Sequence, residues 1–177
     1  MKGSTLGVLL LTICAMPAVA QDKAQDPAAA ARAAAGCGPS EIKFDVKTDD
    51  KQHPTAQPEA GKALVYVFED IASGPTLKVG LDGAWVGAND GRSYFFFQVE
   101  PGEHCLCTNW QSMLKSLSGA GMAISLTAEA GKVYYFRTTI NEPRNKEGVA
   151  VKMRPIDSAE AQFLIAVSAY STSRAKK

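Results

Sequence analysis

The chain has 177 residues, 46% of them hydrophobic, and a formal net charge of +1 at pH 7. A near-neutral chain without a basic stripe is not typical of nucleic-acid-binding proteins, and this length is enough for one domain with its own core. After the N-terminal segment, no apolar run is long enough to span a membrane. We therefore expect one folded domain with no nucleic-acid partner and no membrane span.

The first twenty residues have the pattern of a secretory signal peptide. Lys2 supplies a positive start, residues 6–15 are an apolar run, and Ala-Val-Ala at 18–20 is a small-residue cleavage site. We predict cleavage before Gln21, which leaves 18 basic and 18 acidic residues because only Lys2 is lost. The pattern predicts a periplasmic or secreted protein of the cell envelope.

A lipid anchor at Cys14 is the alternative to simple cleavage. The preceding residues, Leu11-Thr12-Ile13, have the appearance of a lipobox. That motif normally has a small residue directly before the cysteine, and Ile13 is bulky. We therefore favour cleavage over acylation of Cys14.

Three regions follow the leader. Residues 21–36 are polar and then alanine-rich, without apolar periodicity, and this predicts a flexible tether. Residues 37–170 carry the patterns of secondary structure and are expected to form the domain. The polar residues 171–177 are expected to be a loose tail.

The domain has the pattern of about eight or nine short strands and one helix. Apolar–polar alternation or β-branched and aromatic runs predict strands at 42–46, 62–69, 76–81, 84–87, 92–99, 104–110, 122–128, 132–140 and 149–156. Asp82-Gly83 is a strong hairpin signal, and Asp157 can cap a helix from Ala159 to about Val167. Turns at this spacing predict an all-β, antiparallel β-sandwich, immunoglobulin-like or related, with a short C-terminal helix.

Three cysteines remain after the leader is removed: Cys37, Cys105 and Cys107. On a strand, Cys105 and Cys107 point to the same face with parallel side chains, so they are poorly placed to bond each other. An exported protein meets oxidising conditions, in which disulfides form. We therefore predict a disulfide from Cys37 to either Cys105 or Cys107.

A metal site is the alternative use of these cysteines. Cys37, Cys105 and Cys107 together with His53 would make a ligand set that suits zinc, although the spacing is not that of a recognised zinc site. His104 would point away from both neighbouring cysteines. Cysteines two apart on a strand also differ from the Cys-x-x-Cys redox pattern. With no nucleophile elbow or paired carboxylates in view, we predict no catalytic residue, metal or cofactor.

Four consecutive aromatic residues, Tyr94-Phe95-Phe96-Phe97, must place large rings on both faces of one strand. Either both faces are covered, which is the expected case, or one face presents an aromatic patch to a partner. Trp85 in the predicted hairpin could extend such a patch. We keep these five residues as a candidate interaction surface.

Four segments resemble a known family. They are GKALVYV at 61–67, VGLDGAWVG at 79–87, VEPGEH at 99–104 and AGKVYY at 130–135. Over about residues 61–156 the chain resembles the bacterial family called domain of unknown function 2846, and the middle two segments are also similar to the PEGA surface module. The resemblance implies a small exported or lipid-anchored β-sandwich at the cell envelope, and it brings no assigned catalytic residues.

These observations predict an exported bacterial cell-envelope protein that works as a non-enzymatic binding or structural module. The expected partner is an unidentified envelope protein or a glycan. The alternative is a metal-binding or hydrolytic periplasmic protein that uses Cys37, Cys105, Cys107 and His53.

Overall fold

This computed structural model describes residues 37–112, 121–141 and 150–176. These residues contain ten strands and one helix, joined by turns and loops. The elements are β1 (Phe44–Asp49), β2 (Ala63–Glu69), β3 (Leu77–Leu81), β4 (Ala84–Asn89), β5 (Ser93–Val99), β6 (Gly102–Trp110), β7 (Met122–Ala128), β8 (Val133–Asn141), β9 (Ala150–Pro155), α1 (Ser158–Val167) and β10 (Ala169–Ala175). The predicted leader and tether, residues 1–36, lie outside the described residues. Among the described residues, no helix has the length and apolar character needed to cross a membrane.

The strands form two sheets that pack face to face, so the prediction of an all-β sandwich with a short C-terminal helix is confirmed. Sheet A has the order β1-β10-β5-β2-β8-β9, and sheet B has the order β4-β3-β6-β7. Most neighbours are antiparallel, but β2 runs parallel to β8, and β10 runs parallel to β5. Two parallel neighbouring strands need a long connection. Between β2 and β8 the chain forms β5 of sheet A and all four strands of sheet B.

The core lies between the two sheets. Ala63, Val65 and Val67 alternate along the inner face of β2, and Leu106 and Val79 meet them from sheet B. Every residue of β2 is buried, because the opposite face of this strand is covered as well. A strand that is buried on both faces has a nearly continuous apolar sequence, here ALVYVFE, instead of clean alternation.

Helix α1 covers the outer face of sheet A. It begins at the N-cap Asp157, whose side chain accepts a hydrogen bond from the Glu160 backbone N–H at 2.8 Å. Its Ala161, Leu164 and Ile165 are buried against the aromatic residues of the sheet. The helix predicted from its cap is therefore confirmed, and it covers the aromatic side chains on the outer face of sheet A.

The C-terminal tail is not loose. The sequence predicted a loose segment from Ser171, but residues Ala169–Ala175 form β10, which pairs with β1 on one side and with β5 on the other. The Ser171 hydroxyl donates a hydrogen bond to the Ala88 carbonyl oxygen at 3.0 Å and is buried. Because β10 is held by backbone pairing and small polar side chains, its sequence has no apolar pattern to reveal it.

Candidate functional site

The disulfide joins Cys37 to Cys107 across a sequence separation of 70 residues, with the two Cα atoms 5.5 Å apart. The structure therefore selects one of the two predicted pairings. Cys105 lies two residues earlier on β6, is half-buried and takes no part in this disulfide. The bond attaches the first described residue to a central strand of sheet B.

Residues 37–42, here called the N-terminal strap, cross the outer face of sheet B. The indole N–H of Trp85 donates to the Pro39 carbonyl oxygen at 2.8 Å. The ammonium group of Lys78 donates to the Ile42 carbonyl oxygen at 2.9 Å and lies 4.1 Å from the centre of the Trp85 ring. One covalent bond and two hydrogen bonds thus fix the strap before the chain enters β1.

Gly80 allows the strap to lie directly on the sheet. A Cβ atom at this position would overlap the Cys37 carbonyl oxygen and would approach the Cys107 sulfur to 3.0 Å. The glycine sits where the pairing of β3 with β4 shifts register, between Val79 and Gly80. A residue with a side chain here would force the strap away from the sheet.

A second contact ties the β3–β4 hairpin to the turn between β5 and β6. Asp82 accepts a hydrogen bond from the Cys105 backbone N–H at 2.8 Å, and its other oxygen lies 2.6 Å from His104 Nδ1. His104 Nε2 lies 2.7 Å from the Glu100 carbonyl oxygen. Asp82 has a positive φ of 52°, which is the left-handed conformation that this tight turn requires. The Asp-Gly and Pro-Gly-x-His segments therefore meet in one hydrogen-bonded network that joins the two turns.

We expect Asp82→Asn to lower the free energy of unfolding by about 1 kcal/mol, because the amide keeps the turn conformation but loses the charged acceptor. A double-mutant cycle with His104→Gln, followed by chemical denaturation, should give a coupling energy of about 0.5–1 kcal/mol. Additive effects of the two substitutions would contradict a direct contact between these side chains.

The alternative metal-ligand set is not assembled. Cys37 and Cys107 are joined in the disulfide on sheet B, whereas His53 Nδ1 lies 3.1 Å from the Ser168 carbonyl oxygen beside α1, over sheet A. Within the ranges that the structure describes, no group of three or more histidine, cysteine, aspartate or glutamate residues is placed to hold a metal ion.

The candidate aromatic patch does not form. Tyr94 is fully buried beneath α1, and its hydroxyl donates to the Pro54 carbonyl oxygen at 2.9 Å. Phe96 packs on the same side of β5, while Phe95 and Phe97 pack between the sheets. Trp85 lies on the other sheet, beneath the strap. Tyr94 and Phe95 are buried, and Phe96, Phe97 and Trp85 are half-buried. The rings are therefore covered at least in part on both faces of β5, and the five residues do not form one exposed aromatic surface.

The loop before β2 completes the cover of sheet A. The Tyr66 hydroxyl accepts a hydrogen bond from the Ala56 backbone N–H at 2.7 Å. Gln98 holds the same loop through the Gln57 carbonyl oxygen at 3.0 Å and the Glu59 backbone N–H at 3.1 Å. This segment is a loop by sequence pattern, and the aromatic and amide side chains of the sheet bind it in place.

Within the described ranges, the two most exposed large apolar side chains are on α1. Phe163 is 65% exposed and Val167 is 58% exposed, one helical turn apart on the outward face. This surface was not predicted from the sequence. The available signal was composition, because SAEAQFLIAV has apolar residues on all sides of a helix that can bury only one of them.

Glu69 is the most unusual ionisable residue. It is the last residue of β2 and shares the inner face of that strand with Val65 and Val67, and only 1% of it is exposed. Neither carboxyl oxygen has a hydrogen-bond partner within the described part of the chain. Burial, helped by the negative charge of Asp90, raises the pKa of Glu69 to about 9. The side chain is therefore neutral at pH 7. An acidic residue at the end of an apolar strand was the sequence signal for it, and it was not among the predicted site residues.

Comparison with known proteins identifies one family. A family model described as protein of unknown function (DUF2846) matches residues 59–150, a little more than half of the chain, from just before β2 to the start of β9. The match agrees with the resemblance predicted over about residues 61–156. No curated protein was found to match the chain.

Proposed function

We propose, from the premise that the chain belongs to the DUF2846 family, that it is an exported bacterial cell-envelope protein whose β-sandwich serves as a non-enzymatic binding or structural module. The proposed location is the periplasm or the cell exterior. The proposed partner is another envelope protein or a glycan.

The Cys37–Cys107 disulfide is the observation that carries this proposal. Structural disulfides form and persist in oxidising compartments, which agrees with the signal-peptide pattern of the first twenty residues. The two sulfur atoms could not serve as metal ligands or nucleophiles while they are bonded to each other.

The position of the disulfide also suits a module held by a tether. The predicted tether ends at Gly36, directly before Cys37, and the next element, β1, is an edge strand of sheet A. A pull on the tether would open an edge strand first, because that strand has only one neighbour. The disulfide instead transmits the pull to β6, which has a neighbour on both sides.

Intact-mass measurement of the protein from the envelope of its own host tests the proposal. We expect a chain that starts at Gln21 and carries one disulfide, so that reduction before alkylation adds two alkyl groups, at Cys37 and Cys107. A native mass that includes a metal ion, with both of these thiols open to alkylation, would overturn the proposal. A mass that starts at an acylated Cys14 would keep the envelope location and overturn the predicted cleavage.

A further inference from the structure

A small cavity with a positively charged wall lies at the edge of the N-terminal strap. Its volume is about 270 Å³, and the lining residues that matter here are Ser40, Lys43, Lys78, Trp110, Gln111 and Lys176, together called the lysine pocket. They come from the strap, the residue directly before β1, β3, the end of β6 with the residue after it, and the residue after β10. The pocket therefore lies where the strap passes between the two sheets' strands and enters β1.

Gln111 keeps one wall of the lysine pocket in place. Its side-chain oxygen accepts a hydrogen bond from the Phe44 backbone N–H at 2.5 Å, and its side-chain amide donates to the Phe44 carbonyl oxygen at 2.9 Å. This paired contact joins the first residue of β1 to the chain after β6. The pocket is therefore formed before any ligand arrives.

The charges in the lining are not balanced. Among the residues that the structure describes, three lysines line the pocket and no acidic residue does. Lys176 has a partner outside the lining, since its ammonium group lies 2.7 Å from an Asp45 carboxylate oxygen. Lys43 is exposed, and within the described part of the chain no carboxylate pairs with it. At least one positive charge at the pocket is thus available to an anion.

Lys78 is buried, and it forms no salt bridge with any residue that the structure describes. Only 4% of it is exposed, and its described contacts are the Ile42 carbonyl oxygen and the face of the Trp85 ring. Removal from water lowers the pKa of Lys78, and the charge of Glu41 partly opposes this. A buried ammonium group without a counter-ion is costly, so an anion in the pocket would stabilise its charged form.

Trp110 lines the pocket but offers it no donor. It pairs with Leu77 across the β3–β6 ladder, and its indole packs with Ile71, Leu77 and Val151 on the core face of sheet B. Lys78 points to the opposite face of β3, where the strap lies. The lysines therefore carry the inference: a buried cation without a counter-ion, in a wall whose other described charges are also positive, indicates a ligand that carries negative charge.

We propose that the lysine pocket binds a phosphate group, with Lys43 and Lys78 as its counter-charges. Lysine is a point-charge ligand that suits the oxygens of a phosphate, whereas the described lining has no arginine for planar, bidentate recognition of a carboxylate. The group could be free phosphate or the phosphoester of a glycan or lipid headgroup.

Calorimetric titration of the mature, disulfide-bonded protein with inorganic phosphate, glycerol phosphate and acetate at low salt tests this site. We expect saturable binding of one phosphate, weakened by added salt, with acetate clearly weaker. Lys43→Gln should reduce the affinity about five-fold or more, the effect expected for the loss of one charged contact. Asp45→Asn should increase it, because Lys176 is then released towards the pocket.

Lys152→Gln is the matched control, since this exposed lysine lies on β9 at the opposite edge of sheet A from β1 and β10. It removes the same charge and should leave the affinity unchanged. Equal weakening by Lys43→Gln and Lys152→Gln would overturn the site in favour of a net-charge effect. Absence of phosphate binding, or acetate binding as tight as phosphate binding, would overturn it as well.

The two phosphate probes distinguish the source of the ligand. Tighter binding of glycerol phosphate would support a phosphoester of a glycan or headgroup, and equal binding would support free phosphate. Lys78→Gln tests the buried lysine only if its circular dichroism and thermal unfolding match those of the parent protein. The comparison of Lys43→Gln with Lys152→Gln is therefore the main test, because both lysines are exposed.

Discussion

Replacement of Cys37 by alanine is expected to lower the free energy of unfolding by about 4 kcal/mol. The disulfide closes a loop across 70 residues, and in the chain-entropy model a loop of this size restricts the unfolded chain by roughly that amount. Cys37 is the better partner to replace, because it is half-buried in the strap, whereas Cys107 is buried in β6 and its truncation would add a cavity. Urea denaturation of the mature chain measures the difference.

Cys105→Ala is the matched control for this experiment, because it removes a sulfur from the same strand and leaves the disulfide intact. We expect it to change the unfolding free energy by less than about 1 kcal/mol. A reducing agent should destabilise the parent protein and Cys105→Ala alike and should leave Cys37→Ala unchanged. A loss below about 1 kcal/mol in Cys37→Ala would mean that the hydrogen bonds of the strap hold it without the covalent bond.

We expect the parent protein to become less stable as the pH rises from about 5 to about 9. Replacement of Glu69 by glutamine is expected to remove most of this loss of stability. In the unfolded chain this carboxyl group loses its proton near its ordinary pKa of 4.5, whereas burial keeps it protonated in the folded chain up to about pH 9. Between these values the folded state holds one more proton, so raising the pH favours unfolding. The contribution of this group is at most about 1.4 kcal/mol for each pH unit.

Urea denaturation at several pH values across that window tests the second prediction. Glutamine has nearly the same shape and cannot ionise, so the stability of Glu69→Gln relative to the parent protein should rise steadily from pH 5 to pH 9. Glu129→Gln, at an exposed turn, should follow the pH dependence of the parent protein. Parallel curves for Glu69→Gln and the parent protein would show that Glu69 ionises in the folded state without cost.

The sequence predicted the elements that depend on interactions between neighbouring residues. β7 has the predicted bounds, Met122–Ala128, because its apolar residues alternate cleanly between a core face and an exposed face. The Asp82-Gly83 hairpin and the Asp157 cap are confirmed, since each depends on the chemistry of a few adjacent residues. The family was also visible in these local segments.

Features that depend on contacts between distant parts of the chain could not be predicted in the same way. β10 has a polar sequence, and its place between β1 and β5 depends on backbone pairing with residues far along the chain. The lysine pocket joins the strap, β3, β6 and β10, so no single segment shows it. Glu69 could have been recognised as a charge on an apolar strand, but its lack of a partner follows only from the packing of both sheets.

By itself, the sequence determined that this protein has a β-sandwich with a capped C-terminal helix and that its cysteines favour a disulfide from Cys37. Periodicity, turn residues and caps act over a few residues, and they report which side of an element is apolar. Only the tertiary structure decided that Cys107 is the partner, that both faces of sheet A are covered and that the strap forms a charged pocket. Those outcomes depend on which distant segments of the chain come into contact. The free energy of such a contact depends on both segments, so the sequence of one segment alone does not reveal it.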